Sequence, residues 1–395
     1  MKRTIRALDL AGKRVLIRVD FNVPLEDGEV TNDLRIRASL PTIRYALDQR
    51  ARVVVLASHL GRPKGRVTEA LSLAPVAVRL EQLIGRKVVF AADSVGEPAA
   101  RAIEQAGDGG IVLLENLRFH PEEEANDEAF ARQLAALADV YVNDAFGTAH
   151  RAHASTAGIV SLVADAAVGL LMADELSYLG NALGNPARPF VAILGGAKVS
   201  SKLAVIENLL KKVDTLLLGG AMAYTFFKAR GYPIGKSLVE DELLEEARGI
   251  EARAASAGVR LLLPVDHVVA TKIEEGAATE VLAVDDPAIG DRVGVDVGPQ
   301  TIRLFTDALH DAGTVVWNGP VGVFEIEAFA RGTTTLASAL AGSSATTIVG
   351  GGDSIAAIDQ AGVAERIDHL STGGGASLEF LGGRTLPGVA ALPDA

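Results

Sequence analysis

At 395 residues the chain exceeds one ordinary hydrophobic core, and its 49% hydrophobic and 22% charged content excludes a disordered polymer. A formal charge of −12 excludes nucleic-acid binding by general electrostatics, so any anion site must be a local basic pocket built against the field of the whole protein. The absence of cysteine removes disulfides, thiolate metal sites and a cysteine nucleophile, and fits a reducing cytoplasm.

Met1-Lys2-Arg3-Thr4-Ile5-Arg6 leads into no apolar h-region, so no signal peptide is expected. Short β-rich apolar runs then recur at 15–19, 53–57, 88–91, 111–114 and 140–142. A helical stretch at 170–183 ends at the break Gly184-Asn185-Pro186, and a second set of runs follows at 190–194, 215–218, 261–263, 314–317 and 346–349. Segments between the runs read as helices. In 202–213, for example, Leu203, Ile206, Leu209, Leu210 and Val213 keep the spacing of an amphipathic helix. Strands apolar throughout and alternating with helices predict parallel sheets covered on both faces. The predicted fold is therefore α/β, with two doubly wound, Rossmann-like parallel-sheet domains at 1–170 and 186–375 joined by a hinge helix at 171–185. No apolar run reaches about 18 residues, so no membrane span is expected.

Loops at the ends of the runs differ between the halves. In the first half they carry Asp20, Asn22, His59, Arg62, Arg118 and Arg151, with Arg35 on the segment after the first loop. Guanidinium forks match phosphate and carboxylate oxygens, which suits a small anionic substrate. In the second half the loops are Leu194-Gly195-Gly196-Ala197-Lys198, Leu218-Gly219-Gly220, Trp317-Asn318-Gly319-Pro320 and Gly350-Gly351-Gly352-Asp353-Ser354. Glycine lets phosphates approach backbone N–H groups. Lys198 and Lys202 would share one face at a helix N-terminus if the helix begins there, and Asp353 is placed to hold Mg²⁺. Solvated lysines, surface arginines and a plain tight turn with a helix cap are the alternatives at each position. No G-x-G-x-x-G or P-loop occurs; Gly231-Tyr232-Pro233-Ile234-Gly235-Lys236-Ser237 is one residue short and follows no strand. No spacing suggests zinc. The residues alone thus give two anion sites on two sheets.

Read as continuous strings, these loops resemble the phosphoglycerate kinase family nearly end to end. The match runs from Arg18-Val19-Asp20-Phe21-Asn22-Val23-Pro24 through Ser58-His59-Leu60-Gly61-Arg62-Pro63, Glu115-Asn116-Leu117-Arg118-Phe119 and Asp144-Ala145-Phe146-Gly147-Thr148-Ala149-His150-Arg151. It continues through Leu194 to Val199, Trp317 to Pro320 and Gly350 to Asp353, and reaches Ser371-Thr372-Gly373-Gly374-Gly375. The resemblance implies reversible, in-line transfer of the acyl phosphate of 1,3-bisphosphoglycerate to Mg-ADP after domain closure, giving 3-phosphoglycerate and Mg-ATP in glycolysis. It implies a cytoplasmic, hinge-bending monomer with no nucleic-acid or membrane partner. Carried over by position, Asp20, Phe21, Asn22, Arg35, His59, Leu60, Gly61, Arg62, Arg118 and Arg151 would bind phosphoglycerate. Lys202, Gly219, Gly220, Gly294, Asn318, Pro320, Glu325, Gly351, Gly352, Asp353 and Ser354 would bind nucleotide, with Asp353 on the metal and Arg35, Lys198 and Lys202 catalytic. Ser201 stands where the family usually has aspartate. The family's C-terminal segment returns to the first domain, which implies the same for 376–395.

Overall fold

The computed structural model describes residues 1–395 and divides into two compact units: Met1–Ser177 with Thr385–Ala395, and Tyr178–Arg384. No helix is long and apolar enough to cross a membrane.

In the first unit, β1 (Arg14–Arg18) leads through a small hairpin, β2 (Leu25–Glu26) and β3 (Glu29–Val30), into α1 (Leu34–Asp48). Then follow β4 (Val53–Ala57), α2 (Ala74–Ile84), β5 (Val88–Phe90), α3 (Gly96–Ala106) and β6 (Gly110–Leu113). The short helices α4 (Pro121–Glu124) and α5 (Glu128–Ala135) precede β7 (Val140–Asn143), β8 (Asp165–Val168) and α6 (Leu170–Gly184). The sheet order is β5-β6-β4-β1-β7-β8, all parallel. Chain direction across the sheet reverses between β1 and β7, so the carboxyl ends of β6, β4, β1 and β7 open side by side at the switch point where doubly wound folds bind ligands. Strands β4 and β7 are buried at every residue because helices cover both faces. One core runs through Val15, Ile17, Val54, Leu56, Val142, Ile36, Ile43, Val76 and Leu80. At about 1.5–3 kcal/mol per fully buried side chain, this apolar set holds the sheet end rigid beneath its loops.

The division into units falls inside α6, and the chain rejoins the first unit at Thr385. Short α14 (Pro387–Ala390) docks there: Gly388 N donates to Ala149 O at 2.9 Å and Asn143 Nδ2 to Gly388 O at 3.3 Å. The final residues tie to the N-terminus through Arg3 N to Pro393 O at 3.0 Å and Ala395 N to Met1 O at 2.9 Å.

The second unit repeats the design. Its parallel sheet comprises β9 (Phe190–Leu194), β10 (Thr215–Leu218), β11 (Arg260–Leu262), β15 (Thr314–Asn318), β16 (Thr346–Gly350) and β17 (His369–Ser371), in the order β11-β10-β9-β15-β16-β17. Its helices are α7 (Leu203–Leu209), α8 (Ala223–Ala229), α9 (Leu244–Ser256), α10 (Pro299–His310), α11 (Arg331–Ala341), α12 (Gly352–Gln360) and α13 (Gly375–Leu381). Helix α13 belongs to this unit, with Asn208 Nδ2 donating to Leu381 O at 2.6 Å. The switch point lies between β9 and β15, where Gly195 N donates to Asn318 O at 3.0 Å. A core of Val191, Ile193, Phe305, Val315, Trp317, Leu336 and Val349 lies beneath it.

Three features escape a reading of apolar runs. Strand β8 is Asp-Ala-Ala-Val, β17 has only three residues, and an antiparallel sheet of β12 (Asp266–Ala270), β13 (Thr279–Ala283) and β14 (Val293–Val297) is inserted between β11 and β15. Its edge strand β13 is exposed at four of five residues, so it carries no apolar signal. The helix expected over 202–213 is shorter, Leu203–Leu209.

Candidate functional site

In the first unit the loops after β1, β4, β6 and β7 meet because those strands are sheet neighbours. Asp20, only 5% exposed, receives Arg35 Nη1 at 3.2–3.3 Å, and Arg35 also donates to Asn22 O at 3.1 Å. Asn22 Oδ1 accepts from Gly61 N at 2.8 Å, tying the β1 loop to the β4 loop. Gly61 has φ +62°, a left-handed conformation that favours glycine at this turn. Phe21 N donates to Ser58 Oγ at 2.8 Å, and Leu60 is buried beneath. Arg118 is largely buried; its Nη1 donates to Gly61 O at 2.8 Å, and Asn116 holds its backbone while reaching Leu60 O and Leu71 O. Arg151 is exposed, with Glu124 between it and Arg118 at 4.0 and 3.5 Å. Arg62 is exposed.

Beneath these groups lies a network the sequence reading passed over. Arg18, the last residue of β1, is fully buried and donates from Nε to Ser155 Oγ at 2.8 Å. Ser155 Oγ in turn donates to Glu123 Oε1 at 2.5 Å, and its N–H reaches Glu123 Oε2 at 2.9 Å. Burial pushes the Glu123 carboxyl up, opposed by Arg18 and the Ser155 bonds. Burial also drives the His59 imidazole well below its ordinary range, reinforced by Arg18, Arg118 and Arg35, so His59 is neutral at physiological pH. The signal for Arg18 was available: it is the one charged residue inside an otherwise apolar run. Glu123, in the acidic turn Glu122-Glu123-Glu124, gave none.

In the second unit a cavity of about 260 Å³ is lined by Gly196, Gly220, Tyr224, His267, Gly294, Asp296, Pro320, Val321, Glu325 and Asp353, among others. Close backbone approach builds it. A Cβ on Gly195 would lie 2.1 Å from Pro320 O, one on Gly319 2.2 Å from Gly195 O, and one on Gly294 1.5 Å from Tyr224 Oη. Gly196, Gly220, Gly319 and Gly351 all have positive φ. Asp296 accepts from Val297 N at 2.8 Å and Gly332 N at 2.7 Å, and burial lifts its carboxyl to about 7. Tyr224 Oη pairs with His267 Nδ1 at 2.8 Å. The inserted antiparallel sheet supplies His267, Gly294 and Asp296; of these the sequence reading found only Gly294.

Lys202, 8% exposed, bonds Asn318 Oδ1; burial lowers its ammonium to about 8, opposed by Asp353. The N–H groups of Gly352, Asp353 and Ser354 open the nine-residue α12, where intrahelical acceptors are lacking. A single exposed Asp353 beside such N–H groups fits Mg²⁺, which keeps most of its waters and shares the rest of its shell with nucleotide phosphates.

One expectation needs correction. Lys198 and Lys202 do not share a helix face: α7 begins at Leu203, the 199–202 turn closes with Lys202 N to Val199 O at 2.8 Å, and Lys198 sits exposed in the loop. The buried Val199 pulls the chain into that turn, so no helix dipole acts at Lys198. The Ser354 hydroxyl accepts from Gly319 N at 2.6 Å, which ties the loop after β16 to the loop after β15 and leaves its own proton free to donate. Gly219 packs against Val321 behind the cavity wall without lining it. At the position of the family's aspartate, Ser201 Oγ donates to Lys198 O at 2.8 Å and closes the same turn.

Residues 5–384 match the family model described as phosphoglycerate kinase. The chain is 58% identical to the phosphoglycerate kinase of Pelotomaculum thermopropionicum, covering 100% of this chain and 99% of that one. Its structure is similar to that of phosphoglycerate kinase from Coxiella burnetii, with a TM-score of 0.89 at 44% identity over 99% and 98% of the two chains. The enzyme from Pyrococcus horikoshii gives a TM-score of 0.84 at 33% identity, again over 99% and 98%.

Proposed function

The chain belongs to the phosphoglycerate kinase family, and from that premise we propose how its own residues carry out the reaction. The reaction is reversible phosphoryl transfer between 1,3-bisphosphoglycerate and Mg-ADP, a glycolytic step with a carboxyl group as acceptor. Phosphoglycerate binds the first unit, held by the guanidinium groups of Arg35, Arg62, Arg118 and Arg151 together with Asp20, Asn22 and neutral His59. The backbone of Phe21, Leu60 and Gly61 sets the loop that carries them. Nucleotide binds the second unit, its base in the cavity walled by Gly220, Gly294 and Pro320. Gly219 and Asn318 support that wall, Glu325 meets the ribose, and the N–H groups of residues 351–354 meet the phosphates. Mg²⁺ held by Asp353 would neutralise phosphate charge.

The observation that supports this division is that guanidinium groups gather at one sheet end, whereas a glycine-built cavity lined by Asp296, Glu325 and Asp353 and by no arginine occupies the other. Transfer asks for positioning and charge stabilisation, and the nucleophile is an oxygen already ionised, so no protein base is required. Arg35 and Lys198 then flank the migrating phosphoryl, with Lys202 assisting. Because each unit holds one reactant, the two must close about the helix at 171–185 before transfer. We read the chain as a cytoplasmic monomer.

One coupled assay tests the reading. ATP formation from 1,3-bisphosphoglycerate and ADP, with no reverse turnover on acetate or aspartate, is the expected outcome. Turnover on acetate or aspartate instead of phosphoglycerate, or binding without turnover, contradicts it. Small-angle scattering with both ligands checks closure: the radius of gyration should fall, and an unchanged value rejects it.

A further inference from the structure

Arg18 stands behind the proposed phosphoglycerate loops rather than among them, and its bonds account for its polar edge. Nε donates to Ser155 Oγ at 2.8 Å, Nη1 to the Val19 carbonyl, and Nη2 lies 3.3 Å from His59 Nδ1. A guanidinium has five donors and no acceptor. The hydrogen on the Arg18–His59 line therefore belongs to Arg18, and Nδ1 must present its lone pair. The competing arrangement, Nδ1–H pointing at Asp20, fails on distance: Oδ1 is 4.0 Å away and already occupied by Arg35 and Asn22 N. His59 is 3% exposed and neutral, so it carries one ring proton, and with Nδ1 accepting, that proton is on Nε2.

Arg18 is itself fixed from behind. Ser155 Oγ accepts from Arg18 and passes its own proton toward Glu123, which also receives Ser155 N. Tyr141 Oη donates to Ser155 O at 2.6 Å and holds the backbone of that residue. Arg18, Glu123, Ser155 and Tyr141 are all completely buried. A serine hydroxyl can accept from one neighbour and donate to the next, which is the use made of it here.

We propose that the buried relay Glu123–Ser155–Arg18 is a positioning device that locks His59 in its Nε2–H tautomer, making it a neutral hydrogen-bond donor to the anionic phosphoglycerate. This rests on the reading of His59 as a substrate-binding residue. It adds Arg18, Ser155 and Glu123 as residues acting through His59.

Nitrogen-15 spectroscopy of histidine-labelled full-length protein tests the relay, with the His59 signals assigned through His59→Gln. The wild-type enzyme should show a bare Nδ1 and a protonated Nε2 between about pH 6 and 8. A protonated Nδ1 or an imidazolium overturns the proposal without the need for any variant. Ser155→Ala, checked for folding by circular dichroism, should shift those signals toward a tautomer mixture. It should also raise KM for 3-phosphoglycerate about tenfold, the effect of weakening one hydrogen bond to an anion, with kcat and KM for ATP nearly unchanged. Either readout staying fixed contradicts the proposal. If the wild-type enzyme ignores phosphoglycerate altogether, the functional reading fails while the tautomer result stands by itself.

Discussion

The two units open their ligand loops at the same four neighbouring strand ends of a parallel sheet, yet they build them from different material. In the first unit the loops after β1, β4, β6 and β7 act through side chains: Arg35 on Asp20, Asn22 on Gly61 N, and Arg118 on Gly61 O. In the second unit, the loops after β9, β10, β15 and β16 act through bare backbone, with Gly195, Gly220 and Gly319 stacked at distances no Cβ would permit. Directed charge suits a small ligand that is mostly oxygen atoms. A nucleotide offers a flat apolar base and phosphates that N–H groups can meet, so there the geometry of the backbone matters more than the number of cations.

The comparison breaks most visibly at Arg35. Arg35→Ala should lower kcat about 10²- to 10³-fold, as loss of a preorganised charge at a reacting group does, while nucleotide affinity stays within about twofold. A change confined to KM would move Arg35 from catalysis to binding. Next in size is a pure backbone test. Gly195→Ala places a methyl 2.1 Å from Pro320 O, which nothing flexible can relieve. At about 1–3 kcal/mol of overpacking, nucleotide Kd should rise roughly ten- to hundredfold while 3-phosphoglycerate Kd holds, as measured by calorimetry. An unchanged nucleotide Kd would mean that the close approach is incidental.

Smaller still is a pH effect confined to the second unit. Burial brings Lys202 down to about 8, so its charge is lost as pH rises through that value. Since kcat/KM for nucleotide reports the free enzyme, it should halve near pH 8. Phosphates raise the value further in the complex, so kcat should fall only at higher pH. A flat profile across this range in kcat/KM would show that the Lys202 charge is not used.

The same contrast governs what the sequence disclosed. Apolar runs bounded by loops gave both parallel sheets, because strands buried on both faces must be apolar throughout. The arginine loops were legible by residue type, since guanidinium groups are expensive to gather without an anion. Arg18 showed only as a lone charge inside an apolar run and Glu123 not at all, because their roles depend on Ser155, which lies 137 residues from Arg18 and pairs with both. On the nucleotide side the glycines were visible, but their contacts were not: that Gly294 admits the Tyr224 ring is a fact about a sheet with an exposed, weakly patterned edge strand. The turn that removes Lys198 from α7 depends on where Val199 finds its pocket, a tertiary effect that helical spacing cannot report.

Amide hydrogen exchange with each ligand added separately tests the central claim, that each unit holds one reactant. With 3-phosphoglycerate alone, protection should appear in the loops after β1, β4, β6 and β7; with ADP alone, in those after β9, β10, β15 and β16 and in β14. Protection by ADP of the arginine loops, or by 3-phosphoglycerate of the glycine turns, would contradict the account.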